Sequence, residues 1–308
     1  KPHGSDSLNP LYVEDDTKRA ELLKEAERLP KLLVCSQAAA NAVMLGCGYF
    51  NPLTGYMNLE DSLSVAEGMK TSSGLFWPVP IVNVVEDFSE IQDAKRIALL
   101  DPSVDGNTVV AIQDVESIDE ATDEQMKFMA EKIFATTDME HPGLKNFLTV
   151  GRFFVAGPIQ VLNYSYFAAD FPETFRTAVQ IRDKIQQNGW SKVVAFQTRN
   201  PMHRVHEELT RRAVEGIDGA LLLHPAVGLT KPGDVEHFTR ARTYLALAEN
   251  YFDPDRIVLA LTPLAMRMAG PREALWHALI RKNYGANHLI VGRDHAGGEV
   301  DAPDDRLG

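Results

Sequence analysis

Two textures of apolar and polar positions divide the chain. From about residue 31 to 165, short β-rich runs alternate with turns and a few helices. Among them are WPVPIVNVV (77–85), TVVAIQDV (108–115) and GRFFVAGPIQVL (151–162), a pattern that predicts a compact β-rich domain. An amphipathic helix precedes it over 15–30, with Ala20, Leu23 and Ala26 as its apolar stripe and Pro30 at its end.

The texture changes at YFAADFP (166–172), and beyond it the alternation is regular. A helix over 173–189 closes on Gly189 and leads to the strand KVVAF (192–196). Helix 203–216, strand GALLLHP (219–225) and a helix within 234–252, with Asp234 as its N-cap, come next. Strand RIVLAL (256–261), helix REALWHALIRKNYGA (272–286) and strand HLIVG (288–292) complete the series. Continuous apolar strands between amphipathic helices imply a parallel sheet covered on both faces. The fold expected is therefore α/β, with a β-rich domain over 1–167 and a parallel-sheet domain over 168–308. A length of 308 residues agrees with two cores rather than one.

Composition narrows the class. An apolar share of 44% with 24% charged residues is that of a soluble globular protein. A formal net charge of -12 argues against a general nucleic-acid or membrane-surface binder, because those partners demand a basic face. No uncharged apolar run approaches the roughly 18 residues of a membrane span. The first residues, KPHGSDSLNP, lack the apolar core of a signal peptide. Cys35 and Cys47 are the only cysteines, too few for a disulfide framework or a Cys-rich zinc site. They read as small buried hydrophobes, and a cytoplasmic location is expected.

In an open parallel sheet, ligands bind beyond the carboxyl ends of the strands. The four segments that follow the strands here are QTRNPMHRVH (197–206), HPAVGLTKPGD (224–234), TPLAMRMAGPRE (262–273) and GRDHAGG (292–298). All are polar or glycine-rich, and each carries arginine or histidine. The first is the richest. Pro201 is placed to start a helix, with His203 and His206 on one face of its first turn. Free N–H groups and the positive end of the helix dipole favour an anion there, and Arg199 adds charge-assisted donors for phosphate oxygens.

Two other readings compete. Zinc requires a further ligand: HEELT carries Thr210 where a second helix histidine would stand, and no thiolate cluster is available. The stretch could also be the polar start of a surface helix, although its place among three similar tails weighs against that. No P-loop occurs, and GCGYFN (46–51) has Asn51 in place of the last dinucleotide-fingerprint glycine, so it reads as a turn.

Together, QTRNPMHRVH, GLTKPGD (228–234), AMRMAGPREALWHALIRKNYGA (265–286) and GRDHAG (292–297) closely resemble the ATP sulfurylase (sulfate adenylyltransferase) family. LGCGYFNPLTGYM (45–57) is similar to its N-terminal segment, and the resemblance runs to Gly297. It implies a PUA-like N-terminal domain and a Rossmann-like nucleotidylyltransferase domain. The reaction implied is MgATP plus sulfate giving adenosine 5′-phosphosulfate and pyrophosphate, in either direction.

By the same resemblance, Gln197, Thr198, Arg199, Asn200, His203 and His206 line the ATP site, and Gly292, Arg293, Asp294 and His295 form its second half. Gln197, Arg199 and Ala296 would hold sulfate. Thr198, Arg199, Asn200, His203, His206 and Arg293 would carry the catalysis. Mg²⁺ would arrive with ATP, without a tightly bound protein metal, and a homo-oligomer without nucleic-acid or membrane partners is expected.

Past Gly297 the chain runs to GEVDAPDDRLG, where a shortened catalytic domain is expected. The alternatives are another adenylyltransferase with a different acceptor, or a non-catalytic nucleotide-binding or assembly protein.

Overall fold

Leu22 and Ala26, one turn apart, are the buried positions of the first helix, α1 (Asp16–Arg28), which Asp15 caps by accepting from the Lys18 N–H. The expected stripe is therefore wrong at two of its three positions, since Ala20 and Leu23 are exposed. The helix lies on the sheet along an i, i+4 ridge, against Ala98, Ile112 and Leu162, and this packing selects the face. The computed structural model describes residues 1–227 and 236–297.

A seven-stranded sheet organises the first half. Its strands are β1 (Lys31–Leu33), β2 (Gly55–Tyr56), β3 (Val84–Val85), β4 (Arg96–Leu100), β5 (Val109–Asp114), β6 (Ser117–Glu120) and β7 (Phe153–Val161). The order is β1-β4-β5-β7-β2, with β3 and β6 also paired to β7. Helices α2 (Ser36–Gly46), α3 (Leu59–Gly68), α4 (Asp123–Phe134) and α5 (Pro142–Thr149) complete this half.

WPVPIVNVV contributes only the two residues of β3. Pro78 and Pro80 cannot donate to a ladder, so Trp77, Val79 and Ile81 are buried in irregular backbone instead. Gly157, inside β7, has φ +142°, and a Cβ there would lie 1.9 Å from the Asp114 carbonyl oxygen, so only glycine fits. GCGYFN is a turn, as expected, at the end of α2. Cys47 is buried and Cys35 half-buried, and both are free thiols.

After the short α6 (Phe167–Asp170), the second half is the expected α/β series: α7 (Ala178–Gln187), β8 (Val193–Thr198), α8 (Arg204–Ile217), β9 (Ala220–Pro225), α9 (His237–Tyr251), β10 (Ile257–Leu259), α10 (Pro271–Tyr284) and β11 (His288–Leu289). All four strands are parallel, in the order β10-β9-β8-β11. Side-chain alternation assigns the faces. Val194, Leu221 and Leu223 meet Val214 of α8 and Tyr244 of α9. Val193, Ala195, Ala220 and Leu222 turn the other way and share a cluster with α7 and α10.

β10 and β11 end at Leu259 and Leu289, short of the apolar runs that predicted them, and three helix starts move from expectation. α7 begins at Ala178 rather than near 173, because Thr177 and Gln180 form a reciprocal capping box. α8 begins at Arg204 with His203 as N-cap, so Pro201 precedes the helix instead of starting it. α9 is capped by Glu236, which accepts from the Phe238 and Thr239 N–H groups. Asp234 and the segment 228–234 lie outside the described residues.

α10 joins the halves. Arg272, in its first turn, donates to the Val65 and Ala66 carbonyls at the end of α3, where a cation also meets the negative end of that helix. Asn283, at its other end, donates to the Tyr49 and Asn51 carbonyls. Trp276 between them is fully buried, 5.5 Å from the Phe50 ring.

Candidate active site

Successive strands β8, β9 and β10 run outward in one direction, and β11 returns to the other side of β8. The strand order therefore reverses between β8 and β11, and a crevice at the carboxyl ends of such a pair is the expected ligand position. The tail of β8 carries Gln197 to His206, and the tail of β11 carries Gly292 to Gly297.

The first tail is held from behind. Arg240 and Tyr244, both on α9 and buried, donate to the carbonyls of Arg199 and Asn200 respectively, and Thr198 Oγ1 donates to the Asn200 carbonyl at 2.9 Å. These bonds occupy backbone oxygens and leave the side chains of Gln197, Arg199 and Asn200 facing elsewhere. The Arg199 guanidinium has no carboxylate partner among the described residues. Its one polar contact among them is the Met268 sulfur at 3.6 Å.

Arg199 lines a cavity of about 290 Å³ together with Arg267, Met266 and Met268, opposite Phe134 and Phe147 of the first half. Gln197 places its Nε2 3.3 Å from the Met266 sulfur and leaves Oε1 buried without a partner among the described residues. Exchange of the two amide atoms puts an N–H₂ donor at that orphan position instead. A cation without a carboxylate partner, two positions along the chain from an amide that can turn an N–H₂ outward, is the donor set that an anion requires.

His203 and His206 meet at the start of α8. The His203 N–H donates to His206 Nδ1 at 3.2 Å, which replaces the usual hydroxyl or carboxylate device at this cap. Burial lowers the His206 pKa, and the neighbouring His203 adds to this, so the ring is neutral at pH 7 in the free protein. Among the described residues, no group of three or more His, Cys, Asp or Glu side chains is placed to hold a metal ion.

The AMRMAG segment before α10 is the hub between the two tails. Met266 and Met268 touch Gln197 and Arg199, while the Gly270 N–H donates to the Ala296 carbonyl at 2.9 Å. Ala296 has φ +54°, and its own N–H has no partner among the described residues. Gly292, Arg293 and Asp294 are exposed, and the Arg293 guanidinium has no hydrogen-bond partner among the described residues. Burial, then His277 and Arg281, pushes His295 down to about 4, so it is neutral. The two tails share no direct hydrogen bond among the described residues, and AMRMAG bridges them.

Five residues of this arrangement were not among the expected site residues: Met266, Arg267, Met268 and Glu273, which lie in the third strand-end segment, and His277, which lies beyond it. Arg267 is buried, stacks 4.9 Å over Trp276 and donates to Asn41 at 2.7 Å. Burial lowers it to about 10, partly offset by Glu273, so it stays cationic. The visible sequence signal is the ionisable series Glu273, His277, Arg281 at four-residue spacing on a helix whose remaining positions are largely apolar.

Comparison with known proteins shows the family. A PUA-like domain model matches residues 1–164, and an ATP-sulfurylase model matches 172–300. The chain is 55% identical over 298 residues to the sulfate adenylyltransferase of Alcanivorax borkumensis, covering 96% of this chain and 74% of that protein. It is 50% identical over 298 residues to that of Allochromatium vinosum, covering 96% and 75%. A solved chain described as a hexameric APS kinase from Thiobacillus denitrificans superposes with a TM-score of 0.75 at 27% identity, covering 96% of this chain and 53% of that one. The polypeptide thus spans about three quarters of these curated relatives and about half of the solved chain. With identity of this level over nearly its whole described length, the chain belongs to the ATP-sulfurylase family.

Proposed function

We propose that this site is that of a sulfate adenylyltransferase and works by direct in-line displacement. A sulfate oxygen attacks the α-phosphorus of MgATP, the bond to the bridging oxygen breaks, and the electron pair leaves with pyrophosphate. Sulfate is already ionised, so no general base is required. The barrier lies in bringing a dianion to a polyanion, and fixed positive charge with positioning lowers it.

The observation that carries the reading is the Arg199 guanidinium at the carboxyl end of β8, without a carboxylate partner among the described residues and two positions from Gln197, whose outer amide atom has no partner among them either. These two, with the free Ala296 N–H, hold sulfate. Asn200 and Arg293 stabilise the α-phosphoryl group, while His203 and His206 face the β- and γ-phosphates together with the Mg²⁺ of the substrate. Thr198, tied to the Asn200 carbonyl, shapes the loop. Gly292, Asp294 and His295 complete the nucleotide side.

One displacement at phosphorus inverts configuration, so a chiral α-phosphorus in ATP should emerge inverted in the product. Net retention would mean a covalent adenylyl-enzyme and end the scheme. A homo-oligomer in the cytoplasm accompanies the reading. It is supported by the hexameric description of the solved relative and by the absence, among the described residues, of a helix long and apolar enough to cross a membrane.

His206 gives a second test. Its pKa lies below 6.5 in the free protein, and a bound polyphosphate raises it. Binding of ATP near pH 6 should therefore take up protons, seen as a dependence of the calorimetric heat on buffer ionisation. His206→Asn should reduce that uptake. An unchanged uptake would remove His206 from the phosphate site.

A further inference from the structure

His295 is connected to the interior by a chain of hydrogen bonds that the transfer chemistry does not use. Its Nε2 lies 2.7 Å from Nδ1 of His277, and Nε2 of His277 lies 3.1 Å from Oε1 of Glu273. Oε1 of Glu273 also accepts the Arg267 N–H at 2.8 Å, and Oε2 accepts the Ala269 N–H at 2.7 Å. Glu273 and His277 are completely buried. We propose that Glu273 and His277 are positioning residues that hold His295 as a single tautomer, leaving Nδ1 as an acceptor for a hydroxyl or amino hydrogen of the nucleoside. This rests on the reading of the 292–297 loop as the nucleotide side of the site.

The order of protons follows from acceptors and donors. Glu273 receives two backbone N–H groups, an arrangement that needs an acceptor on both oxygens and so an ionised carboxylate. Burial raises its pKa, but the His277 hydrogen bond and charge and the two N–H groups outweigh this, and the net shift is downward. The proton between Glu273 and His277 therefore sits on His277 Nε2.

Burial lowers the His277 pKa. Glu273 opposes that shift, and the nearby charges of Arg281 and Arg267 reinforce it. His295 from the last loop and His224 from β9 also face this cluster. A neutral His277 with its proton on Nε2 presents a lone pair at Nδ1. His295 must then donate from Nε2, and its Nδ1, which no protein group bonds among the described residues, keeps a lone pair.

That lone pair repels phosphate oxygens and accepts from ribose hydroxyls or an exocyclic amine. The same carboxylate fixes the AMRMAG turn against Arg199, so one buried group sets both edges of the site.

Ring-nitrogen NMR shifts of the two histidines in the intact protein, with and without ATP, test this directly. Both rings should show the Nε2–H tautomer. A His295 with its proton on Nδ1, or doubly protonated at neutral pH, overturns the relay. Kinetics supply the second arm. His277→Leu removes the acceptor and should raise the KM for ATP by about ten-fold, with little change in that for pyrophosphate. His277→Asn restores an acceptor near the Nδ1 position and should return both the tautomer and the KM close to the wild-type values. Unchanged ATP KM in folded His277→Leu, or an equal loss for pyrophosphate, overturns the proposal. If the tautomer is as stated but ATP does not bind the wild type, the nucleotide reading and the ligand half of the inference fall, while the relay stands. A wrong tautomer in a protein that binds ATP overturns the relay alone.

Discussion

Arg199→Ala lowers adenylyl transfer by at least about 100-fold while leaving the fold intact. The expectation follows from what Arg199 does not do. It makes no ion pair among the described residues, so its removal strands no buried carboxylate. The backbone bonds from Arg240 and Tyr244 remain and keep the loop in place. What disappears is a fixed cation in a largely apolar cavity, where an anion is poorly screened by solvent. Arg199→Lys should recover only part of the rate, since a point charge cannot reproduce two parallel N–H donors on an oxyanion. Steady-state rates with varied sulfate check this. Activity within a few-fold of wild type in Arg199→Ala would move the chemistry away from β8.

The largest stability effect is expected at Trp276. It is fully buried on α10, packs tilted against Phe50 of the first half and carries the Arg267 guanidinium over its face. Truncation to Ala removes that ring and opens a cavity between the halves, at a cost of about 3–5 kcal/mol. Urea denaturation followed by circular dichroism reads the loss. Trp276→Phe should retain most of the stability, because the indole Nε1 has no hydrogen-bond partner to lose. A cost below about 1 kcal/mol for Trp276→Ala would mean that α10 does not join the two cores as described.

The parts of the structure that periodicity controls were legible in the residues. From β8 to β11 each apolar run contains a strand, buried along all of β9 and over Val193–Ala195 of β8, so continuous hydrophobicity marks it. The strand ends, and with them Gln197 to His206 and Gly292 to Ala296, could be found by the rule that ligands gather there. The first half was less legible. WPVPIVNVV is as apolar as a strand, yet two prolines deny it a ladder. The face of α1 depends on where the sheet lies beneath it, which no local pattern specifies.

The starts of helices moved for a chemical reason. Histidines are seldom read as caps, but His206 at the third position of α8 caps the His203 N–H as a glutamine would. The Glu273–His277–His295 chain was hidden for a related reason. An i, i+4 pair of ionisable residues looks the same on a solvated helix face as in a core, and only the packing of α10 between two sheets decides between them.

The most direct test of the whole account is ATP formation from adenosine 5′-phosphosulfate and pyrophosphate with Mg²⁺, followed by luminescence in the wild type and in Arg199→Ala. The account expects a signal that depends on both substrates in the wild type and falls to near background in the variant. A folded wild type that binds ATP yet forms none from these substrates would contradict it, as would a variant as active as its parent.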